Sequence, residues 1–417
     1  MYVGIATVGS RGDVQPYLAL AVALSRRGHR VRLATCSPFE ALARAHGIEF
    51  VSIGGDIKEI VGDAGREALM RAESHPIKAA RALRAHVGPL VRQGLDALPE
   101  ALDGCDAIVG QMLAPGAAHT AERRGVPYFD ACYDPVFPTR AFAHPGAPRT
   151  IPRGWASYAT YVAAEQVFWQ AFRPDIDAFR ARIGLGRAPF FGPTRRASRR
   201  PRTLLGYSRA IAPVPADWPA HVTATGPWLL DAPRDWAPPA DLARFLAEGP
   251  PPVFVGFGSM TVEDPAGLTR AIVRALRAVG LRGVLSTGWG ALAPATGVDM
   301  FNVGDVPHRW LFPRMACVIH HGGPSTTADG LLAGVPQFVA PFLSDQPFWG
   351  ARVAVSGAGP EPVPIAKLTE EHVRCARVAM AQPDMRRRAR ELAALQAKER
   401  GAEDAARAIE RALGHAP

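Results

Sequence analysis

The stretch His320-His321-Gly322-Gly323-Pro324-Ser325-Thr326-Thr327 carries the densest chemistry in the chain. An apolar run ends at His320, two glycines form a turn, and Ser325 is read as the start of a short helix that Gly334 ends. The first amides of a helix have no acceptor of their own, and the helix dipole favours negative charge beside them. Such a turn binds anions, and Ser and Thr hydroxyls add donors. The glycines let a phosphate come close to the backbone, and a neighbouring histidine donates one more hydrogen bond whether neutral or charged. Adjacent histidines on a strand point to opposite faces, so the pair is a poor joint metal site and one of the two is expected in the core. Two further loops carry polar groups of interest. Asp345 and Gln346 put acceptors and donors side by side, as sugar hydroxyls require; the plainer alternative is a loop with a helix cap. In Thr7-Val8-Gly9-Ser10-Arg11-Gly12-Asp13, Asp13 is read either as the N-cap of the following helix or as a general base facing a cleft.

These loops need strands and helices to hold them. Tyr2 to Val8 reads as a buried strand, and Val14, Tyr17, Leu18 and Ala21 mark the apolar face of a helix that Gly28 ends. Arg30 to Thr35 reads as the next strand, completing a βαβ unit and implying a parallel sheet. Further strands are expected at 49–53, 107–109 and 127–131. The alternation restarts with a strand at 253–257, a helix from Pro265 to Val279, and strands at 283–286, 300–303, 317–320 and 337–340. In open α/β sheets ligands bind at the carboxyl ends of strands, where all three loops fall. Proline disfavours regular structure, so the proline-rich stretch 211–250 is read as a linker between two domains, 1–210 and 251–417. The last helix is read as packing back on the first domain.

The 417 residues carry 48 basic and 38 acidic side chains, a net charge of +10. Only four of the basic residues are lysines, and with so much Ala, Gly and Pro this is the bias of a GC-rich bacterial genome. The sharpest basic cluster is Arg195, Arg196, Arg199, Arg200 and Arg202. It is read as a solvated loop or as a peripheral contact with an anionic membrane. Without a nucleic-acid-binding motif, nucleic acid is not expected as a partner. Five scattered cysteines with no CxxC pair fit reduced thiols. No apolar run reaches 18 residues and the start does not read as a signal peptide, so a cytoplasmic location is expected.

On these residues the chain resembles the inverting GT-B glycosyltransferases that include the plant and animal UDP-glycosyltransferases and the antibiotic glycosyltransferases of actinomycetes. It is most similar to the bacterial sterol-glucosyltransferase-like group. The resemblance rests on Gly9 to Pro16, Pro251 to Met260, Val306 to Pro313, His320 to Thr327 and Asp345 to Gly350, in that order. It implies two doubly wound, Rossmann-like domains facing across a cleft, an acceptor-binding domain (1–210) and a nucleotide-sugar-binding domain (251–417). It also implies roles: Asp13 as base; His321, Gly323, Ser325, Thr326 and Ser259 at the donor pyrophosphate; Val306 and Trp289 at the nucleobase; Asp345 and Gln346 at the transferred sugar. The plant enzymes pair a histidine base with an aspartate after a later strand. Here that region reads Val109-Gly110-Gln111-Met112, without a carboxylate, so the plant relay does not carry over.

The implied reaction is a single displacement at the anomeric carbon, with a nucleotide-sugar donor, UDP-glucose before a dTDP-sugar. The implied acceptor is a hydroxyl-bearing hydrophobic molecule, a polyketide or sterol-like alcohol. Its pocket is expected at 56–90 and 111–160, the latter rich in aromatics from Tyr128 to Tyr161. No cofactor and no metal are expected, since no acidic DxD-type motif occurs in the matching stretches. A nucleotide-sugar epimerase of the same fold or a non-catalytic nucleotide-binding regulator are the rival readings. An NAD-linked oxidoreductase is disfavoured by the missing dinucleotide fingerprint.

Overall fold

The computed structural model describes residues 1–72, 75–192 and 202–414. Arg195, Arg196, Arg199 and Arg200 of the basic cluster lie outside the described residues; Arg202 opens a strand. The chain divides into two compact units.

The first unit comprises Met1–Tyr207, Val214–Leu230 and Arg400–Pro417. Its strands are β1 (Tyr2–Ala6), β2 (Arg30–Thr35), β3 (Glu49–Ser52), β4 (Ala107–Gly110), β5 (Tyr128–Cys132), β6 (Arg202–Leu205) and β7 (Val222–Ala224). They form one parallel sheet in the order β3-β2-β1-β4-β5-β6-β7. Helices α1 (Arg11–Arg26), α2 (Glu40–Ala45), α3 (Ile57–Ala72), α4 (Pro76–Ala82), α5 (Gly88–Ala101), α6 (Gly116–Arg124) and α7 (Trp155–Arg182) connect the strands. Burial on both faces makes the inner strands near-continuous apolar runs, and the β1 stretch Val3–Ala6 is fully buried.

The second unit comprises Ser208–Pro213 and Asp231–Glu399. After α8 (Ala240–Ala247) come β8 (Val253–Gly256), α9 (Pro265–Ala278), β9 (Gly283–Ser286), β10 (Met300–Val303), α10 (His308–Leu311), β11 (Cys317–His320), α11 (Pro324–Leu332), β12 (Gln337–Val339) and α12 (Gln346–Ser356). Helices α13 (Glu370–Ala381) and α14 (Pro383–Gln396) end this unit, and α15 (Ala402–Ala412) belongs to the first. The five strands form a second parallel sheet, β10-β9-β8-β11-β12.

The stretch 211–250 is not a single linker. Val214–Leu230 belongs to the first unit and supplies its edge strand β7, while Asp231 onward belongs to the second and includes α8. Its prolines flank these short elements rather than interrupting them. On α15, Ala405, Ala406 and Ile409 pack into the first unit's core. Glu410 pairs with Arg27 (2.5 Å) and His29 (2.8 Å), fastening α15 to the end of α1. All five cysteines are free. Among the described residues no helix is long and apolar enough to cross a membrane.

Candidate active site

In the first sheet the chain runs outward from β1 through β2 to β3, then returns to β4 on the other side of β1. The loops leaving β1 and β4 therefore flank the point where strand order reverses, the place where open α/β sheets bind ligands. Helix α1 begins at Arg11 with Ser10 as its N-cap, three residues before the apolar pattern starts. Asp13 is thus the third residue of the helix and not the N-cap that one reading of the sequence made it. Its carboxylate reaches back: Oδ2 accepts from the Ser10 N–H at 2.6 Å and the Ser10 Oγ at 2.8 Å. That is the acidic half of a capping box. The Tyr133 hydroxyl donates to the other oxygen, Oδ1. A carboxylate offers about four acceptor positions, so three donors leave room for one more.

Gly9 explains how the carboxylate fits. Its φ is +148°, and a Cβ there would sit 2.4 Å from the Asp13 carboxyl. Below the loop, Gln111 Nε2 donates to the Thr7 hydroxyl (2.8 Å) and the Val8 carbonyl (2.5 Å), while Thr7 donates to the Asp13 carbonyl at 3.2 Å. Where the plant enzymes carry a carboxylate, this chain has an amide that braces the loop. Burial pushes the Asp13 carboxyl above its ordinary value, and the bonds from Tyr133 and Ser10 pull the other way. A raised value strengthens a base, while the donors favour its ionised form. Capping and proton acceptance are compatible, since the cap uses Oδ2.

The second sheet repeats the arrangement, with its reversal between β8 and β11. His320, at the end of β11, is fully buried. Its Nε2 meets Gln337 Oε1 at 2.9 Å, and its Nδ1 accepts from the Gly322 N–H at 3.1 Å. Those partners fix a neutral ring, and burial pushes it down to about 3. It is the core histidine of the pair. The His321 ring is packed between two glycines: a Cβ on Gly323 would sit 2.6 Å from its Nε2, and one on Gly258 3.0 Å from its Cε1. Its Nδ1 is buried and has no hydrogen-bond partner among the described residues. Burial pushes this ring down to about 4, so it is neutral at pH 7 and donates from one nitrogen only.

Gly323 is the N-cap of α11. The amides of Ser325 and Thr326 fall in its first turn, where the helix supplies no acceptor. Thr327 is committed to the helix, its hydroxyl bonding the Gly323 carbonyl at 2.9 Å. Ser259 directly follows Gly258 beyond β8, and Trp289 beyond β9 donates its backbone N–H to the Gly258 carbonyl at 3.1 Å. Gly288 has a φ of +54°, and a Cβ there would sit 2.2 Å from that same carbonyl. The structure therefore brings His321, Gly323, Ser259 and the backbone of Trp289 together at three strand ends.

Val306 lies apart, in the loop after β10, half-buried against the cluster around Phe254 and Phe312. That loop is tied to α11 by His308, whose Nδ1 is 3.5 Å from Asp329 Oδ2 and whose ring stacks on Phe312 at 4.3 Å. Asp329 is 4% exposed and its Oδ1 has no partner among the described residues.

Asp345 and Gln346 open α12. Ser344 before them has a φ of +59°, the one positive value at a non-glycine residue among those described, a backbone strain that collects at ligand sites. Gln346 is buried and occupied. Its Oε1 accepts from the Phe342 N–H (2.8 Å) and the Leu343 N–H (3.3 Å), and its Nε2 points at Met260 Sδ at 3.5 Å. It holds the 342–343 loop, which the pairing of residue types in the sequence does not reveal. Of the aromatics expected near an acceptor, Phe129 and Tyr161 are core, while Trp155 is 67% exposed with Arg140 3.7 Å over its ring. Sequence reasoning gave no role to Ser10, His308 or Asp329, and counted Tyr133 only among the aromatics of the acceptor region. A helix cap three residues before Asp13 was a usable signal for Ser10; Tyr133 had none.

Two family models match the chain: the glycosyltransferase family 28 N-terminal domain over residues 3–143, and the erythromycin biosynthesis protein CIII-like C-terminal domain over 296–410. A sterol 3-beta-glucosyltransferase of Arabidopsis thaliana is 36% identical over 99% of this chain and 68% of its own length. A second from the same plant is 34% identical over 88% of this chain and 58% of its own length. The chain thus spans between about half and two thirds of the length of these relatives. Among solved structures, the glycotransferase of kitacinnamycin is similar with a TM-score of 0.70 at 22% identity, over 99% of both chains. The Streptomyces sp. SF2575 glycosyltransferase SsfS6, complexed with thymidine diphosphate, gives 0.62 at 20% over 99% of both. At such identities the likeness speaks for the fold.

Proposed function

This chain belongs to the GT-B UDP-glycosyltransferase superfamily, and from that premise we propose that it transfers a hexose, with inversion, from a nucleotide sugar to the hydroxyl of a sterol-like alcohol. UDP-glucose is the donor proposed first and a dTDP-sugar second. The observation that carries the reading is the His321 ring. It is wedged between Gly258 and Gly323 at the start of α11, with a buried nitrogen that has no partner among the described residues. A buried polar atom without a partner is costly, and a phosphate oxygen at this helix N-terminus would supply one. The sterol acceptor is favoured over a polyketide because two relatives at 36% and 34% identity are sterol glucosyltransferases.

In the proposed reaction the acceptor oxygen attacks the anomeric carbon while Asp13 takes its proton. The bond from that carbon to the diphosphate breaks, and its electron pair leaves with the nucleoside diphosphate. His321 and the Ser325 and Thr326 amides stabilise the charge developing there, with Ser259 nearby. Val306 and Trp289 are assigned to the base, and Asp345, with the remaining donor of Gln346, to the sugar. These groups need no metal, because neutral donors and a helix dipole take the place of a cation.

The test is a panel of nucleotide sugars assayed for thermal protection and then for transfer to a 3β-hydroxysterol. Protection by UDP-glucose with a glucosylated sterol as product is expected. Protection by none of the panel overturns the donor site. Peripheral membrane contact is part of the proposal, and failure to sediment with anionic liposomes at low salt removes it.

A further inference from the structure

The Asp13 carboxylate is not held by its own helix alone. Tyr133 follows β5, and its hydroxyl crosses the sheet's point of reversal to donate to Asp13 Oδ1. The Tyr133 ring is itself fixed. It meets Tyr17 edge-on at 6.4 Å and 78°, and Tyr17 meets Trp228 edge-on at 5.7 Å and 83°. Tyr17 donates its hydroxyl to the Ala131 carbonyl at 2.5 Å, and Trp228 Nε1 donates to Thr225 Oγ1 at 2.9 Å. Tyr17 also lies one helical turn after Asp13, on the same face of α1. The three rings form a brace from the edge of the sheet to the carboxylate.

From this geometry we infer that Tyr133 is a positioning residue for the transfer reaction, aiming the Asp13 carboxylate and holding it in its ionised form. The inference rests on the reading of Asp13 as the base. It supplies what a histidine–aspartate pair supplies elsewhere, by different means: a neutral donor that keeps its proton throughout. A carboxylate placed among buried groups without such a donor would protonate near neutral pH and stop accepting protons. Burial and the neighbouring Asp13 push the Tyr133 hydroxyl far above its ordinary value, so it does not compete for the role of base. Among the described residues, groups that act on this pair include Tyr17 on α1, Cys36 after β2, and Cys132 and Asp134 flanking Tyr133. None of them is a cation, so the hydroxyls and the Ser10 amide carry the stabilisation of the anion.

The experiment is a pH profile of single-turnover transfer from UDP-glucose to a 3β-hydroxysterol, for wild type, Tyr133→Phe and Asp13→Asn. It is paired with infrared titration of the Asp13 carboxyl, read as the difference from Asp13→Asn. A hydrogen bond to a charged group is worth enough to move a titration by about one to two pH units. In Tyr133→Phe the acidic limb of the rate and the infrared titration should both move up by that amount, and much of the rate should return at high pH. A purely structural tyrosine would lower the melting temperature and leave both titrations where they were, which overturns the inference. If Tyr133→Phe is too unstable, fluorotyrosine at position 133, a stronger donor of nearly the same size, should move both titrations downward; no movement again overturns it. Should Asp13→Asn turn over within a few-fold of wild type, the base assignment fails. The infrared titration would still report whether Tyr133 governs the carboxyl.

Discussion

The two strand-end loops at the heart of the proposal differ in how completely their polar groups are partnered. In the first unit, Asp13 accepts from Ser10 twice and from Tyr133, and Gln111 braces the loop below it. In the second, His321 Nδ1 is buried without a partner among the described residues, as is Asp329 Oδ1 on the helix that follows. Both loops flank a reversal of strand order in a parallel sheet, so the difference does not come from topology. In the proposed reaction it separates a group that must hold one orientation and charge before substrate arrives from a surface that a ligand completes. A base is effective when its geometry is set in advance. A binding surface gains when the ligand satisfies groups that were unsatisfied.

Substitutions can break this contrast. The largest effect is expected at Asp13. Asp13→Asn keeps the size and an oxygen able to accept from Ser10, and removal of a buried charge offsets the weaker hydrogen bonds, so stability should change by about 1 kcal/mol. General-base catalysis is worth about 10²–10⁴-fold, and single-turnover transfer should fall by that factor with donor affinity near wild type. Normal turnover in this variant, with a stability loss in Asp13→Ala, would leave Asp13 as a cap alone.

His321→Ala should act on the other side of the contrast. Loss of one donor to developing charge costs about 10²–10³-fold in rate, and here binding of the free nucleoside diphosphate should weaken as well. Calorimetric titration with UDP separates this from Asp13→Asn; unchanged UDP affinity would mean that the ring does not meet phosphate.

Gln346→Ala sharpens the account on a smaller scale. Its Oε1 satisfies the Phe342 and Leu343 amides, and leaving buried donors unmet costs about 1–3 kcal/mol. Thermal melting should show that loss, and sugar use should fall further than UDP binding because the remaining donor is assigned to the sugar. Equal falls in sugar use and UDP binding would leave Gln346 as a brace for the loop and remove it from the sugar site. The smallest expected effect is none: EDTA should leave transfer intact, and loss restored by magnesium or manganese would reject the metal-free reading.

Much of the second loop was legible in the sequence because its chemistry is contiguous. His321, Gly323, Ser325 and Thr326 lie within six residues, and a strand, a glycine turn and a helix start are each local patterns. The sheet positions were legible for the same reason: β9, β10 and β11 coincide with apolar runs bounded by turn residues. What stayed hidden was long-range or masked by composition. Tyr133 meets Asp13 across 120 residues, and nothing in either segment announces the other. The start of α1 was missed because Arg11 is polar and Gly12 small and exposed, so the helix begins before its apolar face does. The three-residue strand β7 sits among prolines that read as linker. Gln346 looks like a sugar reader by type, and only the tertiary fold shows its oxygen turned inward.

The most direct test of the central claim is the product itself. Incubation with UDP-α-glucose and a 3β-hydroxysterol, followed by proton NMR of the purified product, reads both the bond formed and its configuration. The account predicts a sterol glucoside whose anomeric proton shows the large coupling of a β-linkage. An α-linked product, or conversion of the nucleotide sugar without any sterol glucoside, would contradict it.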